Sequence, residues 1–118
     1  MKKITIIFRH APHGNASSRE GLDLALLSAS FEQEISLVFA DDGVLNLLKE
    51  QQPSLIGGRD FISTFKALPL YDIDNTYACK QSMNERGISE SQSLIDVELL
   101  ELDEIKQQLT QADEVFVY

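Results

Sequence analysis

The chain has 118 residues, of which 43% are hydrophobic and 25% charged. This mixture is typical of one globular domain over residues 1–118, and no apolar run reaches the roughly 20 residues needed to cross a membrane. The formal net charge of −9 excludes the clustered basic surface that nucleic-acid binding requires. A single cysteine cannot form an internal disulfide, which favours a reducing, cytoplasmic location.

β-Rich runs recur along the chain. Residues 3–9 (KITIIFR) predict a first strand rather than a signal peptide, because the apolar stretch is short and no small-residue cleavage site follows. Further strands are predicted at 34–40 (EISLVFA), at 76–79 (TYAC), around 94–98, and at 114–118 (EVFVY).

Helical patterns fill the gaps between these runs. The first helix is predicted from Ser17, with Glu20 at the spacing of a capping box. Three more helical patterns cover residues 41–50, 60–71 and 102–111. Asp41 or Asp42 is a candidate cap for the first of them, and Pro69 limits the end of the second. The last of these presents an apolar face of Leu102, Ile105 and Leu109. A short helix is also predicted from about Ser82, with Gly87 as its stop.

Strands that alternate with helices predict right-handed crossovers and a mainly parallel sheet with helices on both faces. The predicted fold is therefore an α/β three-layer sandwich, flavodoxin-like in general shape. In such sheets, ligands and reactive groups lie at the carboxyl ends of the strands. This rule singles out three loops, 10–17, 41–43 and 79–82.

Cys79, the only cysteine, is predicted at the end of a central strand and beside a helix start. Backbone N–H groups and the helix dipole at that place would lower the pKa of the Cys79 thiol, and Lys80 and Arg86 would add to the effect. An exposed thiolate there could accept and pass on persulfide sulfur. Free cysteine is also among the most buried residue types, so a packing role stays open.

Two further loops are candidate binding sites. Gly14, Asn15 and the serines that follow could hold a phosphate, as flavin-binding relatives of this architecture do, or could simply cap the first helix. The side chains of His10, His13, Asp41 and Asp42 would meet at one sheet edge and could bind zinc, but the spacing lacks further ligands. The leading interpretation has no cofactor and no metal.

The segment 60–71 carries more apolar bulk than one helix face can bury. Its large apolar residues are Phe61, Ile62, Phe65, Leu68, Leu70 and Tyr71. They predict either a core helix or an additional subunit interface.

Four stretches together resemble the DsrE/DsrF-like family of small sulfur-relay proteins, and within it the DsrF-type subunits. They are APHGNASSREGLD (11–23), FADDGVLNLL (39–48), QQPSLIGGRDFISTFKALPLYDID (51–74) and CKQSMNERGI (79–88). The resemblance implies a subunit of a heterohexamer with TusB-like and TusD-like paralogues. That assembly passes persulfide sulfur to a TusE-like acceptor, toward 2-thiouridine at the tRNA wobble position. Direct tRNA binding by this acidic chain is not expected.

The resemblance assigns the main sulfur-bearing cysteine to the TusD-like partner. Cys79 matches a position at which DsrF-type chains often carry a cysteine, so it is implied to be an auxiliary sulfur-accepting thiol at most. Two alternatives remain, a flavin- or nucleotide-binding protein of the same fold and a purely structural scaffold subunit.

Overall fold

The computed structural model describes residues 2–10, 17–31, 33–47, 67–71, 73, 75–93 and 95–118. Within these ranges five parallel strands form one sheet in the order β4-β3-β2-β1-β5. The strands are β1 (Lys3–Phe8), β2 (Glu34–Phe39), β3 (Asn75–Cys79), β4 (Glu98–Leu100) and β5 (Glu114–Val117). The α-helices are α1 (Ser17–Ser30), α2 (Lys80–Glu85) and α3 (Leu102–Gln111). Short 3-10 helices cover Asp41–Leu47, Leu68–Tyr71 and Glu90–Gln92.

The inner strands are apolar on both sides because both faces of the sheet are covered. On one face, Ile6, Phe8 and Phe39 join the main core, and the rings of Phe8 and Phe39 stack with centroids 5.0 Å apart. On the other face, Ile7 and Val38 join a smaller cluster. Successive side chains along a strand point to opposite faces of the sheet, so neighbouring residues such as Ile6 and Ile7 fall into different clusters.

The helices divide unequally between these faces. Leu22 of α1, Val44 of the 3-10 helix Asp41–Leu47 and Met83 of α2 all pack in the main core. Ile105 of α3 packs in the smaller cluster. Right-handed crossovers require this, because the chain steps from β1 to β4 in one direction and then returns across the sheet to β5. The predicted three-layer α/β architecture is confirmed, although its strand order is not the 2-1-3-4-5 of flavodoxin.

The predicted helix at 41–50 is instead a 3-10 helix over Asp41–Leu47. Asp41 has a left-handed φ of 51°, which no regular α-helix start allows. Gly43 then passes so close to β1 that an added Cβ would overlap the Phe8 carbonyl. The tight turn is closed by a Gly43 N–H that donates to the Ala40 carbonyl at 2.8 Å.

The strand predicted around 94–98 lies a few residues later in the structure, where β4 covers Glu98–Leu100. Side-chain hydrogen bonds hold the preceding residues in a turn. The Thr76 hydroxyl donates to the Asp96 carbonyl, and the Ser93 hydroxyl donates to the Ile95 carbonyl, each at 2.6 Å. The Ser93 bond is local and the Thr76 bond comes from β3, and both occupy carbonyls that a strand ladder would use, so pairing begins later.

Most of the predicted helix 60–71, with Phe61 and Phe65, lies outside the described residues. Its described end is the 3-10 helix Leu68–Tyr71, in which Leu68 is buried but Leu70 and Tyr71 are exposed. The Ser17 side chain of the predicted capping box also lies outside the description, although α1 does begin at Ser17.

The helix predicted at 102–111 is confirmed as α3. Its apolar face is narrower than predicted, because Ile105 is buried and Leu109 partly buried, whereas Leu102 is 52% exposed. The helix starts with a capping box that the sequence pattern did not predict, in which the Glu101 and Glu104 carboxylates each accept the other residue's backbone N–H.

Candidate functional site

Cys79 ends β3 and is the N-cap residue of α2, with extended backbone angles (φ −71°, ψ 115°). It therefore lies at the carboxyl edge of the sheet beside a helix start, as predicted. Helix α2 begins at Lys80 rather than near Ser82, and Gly87 follows its end with the left-handed φ of 66° expected of a stop.

The thiol itself is buried. Cys79 is 3% exposed and packs with Ile7, Val38, Leu100 and Ile105. Strand alternation turns its side chain toward the face that α3 covers, and the β3–β4 register sets it beside Leu100. Of the exposed thiolate and the packing role that the sequence left open, the structure therefore favours the packing role in the isolated chain.

The two cations predicted to assist the thiolate are engaged with carboxylates. Lys80 Nζ lies 3.5 Å from Glu101 Oε1, and Arg86 Nη2 lies 3.0 Å from Asp42 Oδ1. Lys80 thereby joins the start of α2 to the residue that caps α3. Lys80 and Arg86 thus join α2 to neighbouring segments, and the spacing of residues in the sequence does not indicate these ion pairs.

The ends of β2 and β3 are tied together by a hydrogen bond that the sequence did not suggest. The Asp41 N–H donates to the Ser82 hydroxyl at 2.9 Å, while Arg9 Nε donates to Asp41 Oδ2 at 2.8 Å. These two bonds hold Asp41 in its uncommon left-handed conformation. Loop 41–43 is therefore a fixed support for the start of α2.

The metal hypothesis gains no support. Asp41 and Asp42 pair with Arg9 and Arg86, and His13 lies outside the described residues. Within the part of the chain that the structure describes, no three His, Cys, Asp or Glu side chains gather as metal ligands would. The phosphate-loop hypothesis concerned residues 10–17, of which 11–16 lie outside the description.

A second surface feature is an open cleft of about 600 Å³ beside β3 and β4. Its lining includes Tyr77 and the carboxylates of Glu90, Asp96 and Glu98. An acidic wall repels a persulfide anion or a phosphate, so the cleft is unsuited to the chemistry proposed for Cys79.

Tyr77 gives this cleft a measurable pH signature. Burial, and then the charges of Glu98 and Glu34, raise the pKa of Tyr77 above 10.0. Because the folded state holds the phenol proton more tightly than the unfolded state, the resulting stability is full below about pH 10 and falls as pH rises through the raised pKa. We expect Tyr77→Phe to reduce the alkaline loss of stability, measured by urea unfolding at about pH 8, 10 and 11. Parallel stability curves for parent and variant would contradict this.

No helix formed by the described residues is long and apolar enough to span a bilayer. This finding agrees with the composition, in which apolar runs are short.

Comparison with known proteins extends the resemblance seen in the sequence. A protein described as "Protein TusC homolog" from Aliivibrio fischeri is 41% identical over 118 residues, which cover all of both chains. The crystal structure of the ychN protein from E. coli matches with a TM-score of 0.85 and 28% identity, again over all of both chains. MTH1491 from Methanobacterium thermoautotrophicum, described as a protein of unknown function, matches over all of both chains with a TM-score of 0.70 and 14% identity, which shows the fold alone. The family model of DsrE/DsrF-like proteins matches residues 2–118. The chain therefore belongs to the DsrE/DsrF-like family.

Proposed function

We propose that the chain is a subunit of a cytoplasmic sulfur-relay complex that passes persulfide sulfur toward 2-thiolation of the tRNA wobble uridine. The observation that carries this proposal is the full-length, 41% identity to a protein described as a TusC homolog. The net charge of −9 supports a role through protein partners, since such a chain repels a polyanion.

Within this role, Cys79 is an auxiliary sulfur acceptor. After losing its proton to solvent, its thiolate attacks the terminal sulfur of a donor persulfide. A new S–S bond forms at Sγ, the donor's S–S bond breaks, and the donor leaves as a thiolate, so no net oxidation is needed. The carboxyl-edge position supports this role, because ligands and reactive groups lie at that edge of a sheet of this kind.

Burial means that a donor reaches Cys79 only after its cover shifts. The cover on that side is the first part of α3, where Ile105 contacts the same cluster as the thiol. Lys80 and Glu101 fasten the start of α3, but both side chains are exposed, and exposed ion pairs contribute at most about 1 kcal/mol. The ion pair thus adds little to this cover, and a docking partner has mainly to compensate for exposing Ile105.

The partners are TusB-like and TusD-like subunits, arranged with this chain in a heterohexamer. A surface that suits them lies at the amino edge of the sheet. Its exposed side chains are Leu27, Phe31, Leu70 and Tyr71, hereafter the amino-edge patch. Helix α1 leads into β2, the 3-10 helix Leu68–Tyr71 precedes β3, and the two elements pack together. Exposed apolar patches of this kind mark interaction sites, and this one leaves the Cys79 edge free for sulfur transfer.

The burial of Cys79 also favours a second candidate, a scaffold subunit that carries no sulfur. One experiment separates the two roles. The chain is co-expressed with TusB-like and TusD-like proteins, purified as a complex, exposed to a persulfide donor and weighed by intact mass spectrometry.

We expect co-purification, and a mass gain of one sulfur atom on this chain that reductant removes and that Cys79→Ser lacks. Cys79→Ser should lower wobble-uridine thiolation only partly, because the main carrier is the TusD-like chain. An assembled complex in which only the TusD-like chain gains sulfur would establish the scaffold role. Separate monomers after co-expression would contradict the complex itself, and complete loss of thiolation in an assembled Cys79→Ser complex would make Cys79 essential.

A further inference from the structure

Strand β5 forms one edge of the sheet and exposes two valines. Val115 is 41% exposed and Val117 55% exposed, and both lie on the face that α3 covers, in register with Thr5 and Ile7 of β1. The β5 edge is distinct from the amino-edge patch and from the Cys79 edge.

The backbone of β5 shows which groups face outward. The Tyr118 N–H donates to the Ile7 carbonyl at 2.7 Å, and the Arg9 N–H donates to the Tyr118 carbonyl at 2.6 Å. Tyr118 thus directs both its N–H and its C=O group toward β1. Because these backbone groups alternate in direction along a strand, Phe116 and Glu114 direct theirs toward β1 as well. Val115 and Val117 therefore point their N–H and C=O groups away from the sheet, where only another extended backbone can pair with them in register.

This edge lacks the features that keep edge strands apart. Residues 114–117 contain no proline, lysine or bulge, and they pair with β1 in an unbroken register. The acids at its start are already engaged. Glu114 lies 3.3 Å from Lys2 Nζ, and Asp113 accepts the Lys3 N–H at 2.8 Å. Although the whole chain carries −9, charges beyond about 8 Å are screened at physiological salt, so the local balance decides whether two edges approach.

We propose that β5 pairs antiparallel with β5 of a second copy of this chain, with Phe116 on the two-fold axis. In this register Val115 faces Val117 of the second copy, and all eight outward backbone groups form four hydrogen bonds. The four valines then cover one another on one face. Glu114, whose carboxylate already pairs with Lys2, faces Tyr118 of the second copy.

The register is self-complementary, which is what a closed two-fold dimer requires. Two paired strands of four residues bury far less surface area than the roughly 1,200 Å² of a stable interface. The dimer is therefore weak, and its population rises with protein concentration. This inference goes beyond the sulfur-relay function and does not rest on it.

Cross-linking tests the register directly. Two single-cysteine variants, Val115→Cys and Val117→Cys, are each made in a Cys79→Ser chain. One variant is isotopically labelled so that mass spectrometry distinguishes it from the other, and the two are mixed and oxidised. A hydrogen-bonded antiparallel pair has Cα atoms about 5.5 Å apart, within disulfide reach, whereas the diagonal same-position pairs exceed the limit of about 7 Å. We expect mixed 115–117 disulfides to predominate. Equal amounts of mixed and same-position products would overturn the proposed register.

Sedimentation velocity tests the association. Val115→Pro removes one outward N–H at an edge position where proline is tolerated, and Val115→Thr is the matched control that keeps the N–H and the shape. We expect the parent and Val115→Thr to move from 13.2 kDa toward twice that mass as concentration rises, while Val115→Pro stays monomeric with an unchanged circular dichroism spectrum. A parent that stays monomeric at millimolar concentration would overturn the proposal. So would a dimer that Val115→Pro leaves intact, or an edge that pairs only with a strand of another protein.

Discussion

We expect Gly43→Ala to lower the free energy of unfolding by about 3 kcal/mol, the largest loss from adding one methyl group among the glycines that the structure describes. The new Cβ would overlap the carbonyl of Phe8 and crowd the Arg9 nitrogen, and these are backbone atoms that no rotamer change can move. Either the turn after β2 or the end of β1 must shift. Urea unfolding measures the loss as a lower midpoint with an unchanged slope.

Gly87→Ala is the matched control. Gly87 has a left-handed φ of 66°, but no atom lies within 4 Å of its added Cβ. Its cost is therefore the conformational penalty alone, about 1 kcal/mol. Equal losses at the two glycines would show that the contact between the turn and β1 relaxes freely.

The second large effect is expected at the amino-edge patch. Phe31→Asp combined with Leu70→Asp should weaken the proposed association with TusB-like and TusD-like chains at least 30-fold, since one central apolar contact contributes about 2 kcal/mol or more. The fold should tolerate the change, because Phe31 is 67% exposed and Leu70 85% exposed. Analytical sedimentation of the mixed subunits measures the association, and thermal melts of the isolated variant check its stability.

Leu102→Asp is the control for this pair. Leu102 is also exposed and apolar, but it begins α3 at the opposite edge of the sheet. An acid in the first turn of a helix favours the dipole, so the variant should fold and assemble. If Leu102→Asp splits the complex while the amino-edge variant does not, the partners meet this chain at the carboxyl edge instead.

The parts of the fold that could be predicted are those that depend on local pattern. The runs at 3–9 and 34–40 became β1 and β2, because a short, largely apolar run suits a strand in a sheet that is covered on both faces. The end of β3 at Cys79 and the stop at Gly87 follow equally local signals. The turn at 41–43 could not be predicted, since its left-handed Asp41 is held by Ser82 and Arg9 from elsewhere in the chain.

The environment of Cys79 shows the same limit at the candidate site. Its place at the sheet edge is a local property, whereas its burial depends on which face α3 covers. That face follows from the return of the chain across the sheet, which spacing alone does not indicate. The sequence therefore predicted where the thiol lies along the chain but not whether solvent reaches it.

The pairing of β5 with β1 also determines the order in which the sheet is completed during synthesis. Ile4 pairs with Glu114, almost the full length of the chain away, so β1 lacks its second neighbour until the last strand leaves the ribosome. Until then, the β-branched β1 is an exposed edge of the nascent sheet, and closing so long a loop is slow. Nascent chains that stop short of β5 are thus the species of this protein most in need of chaperones.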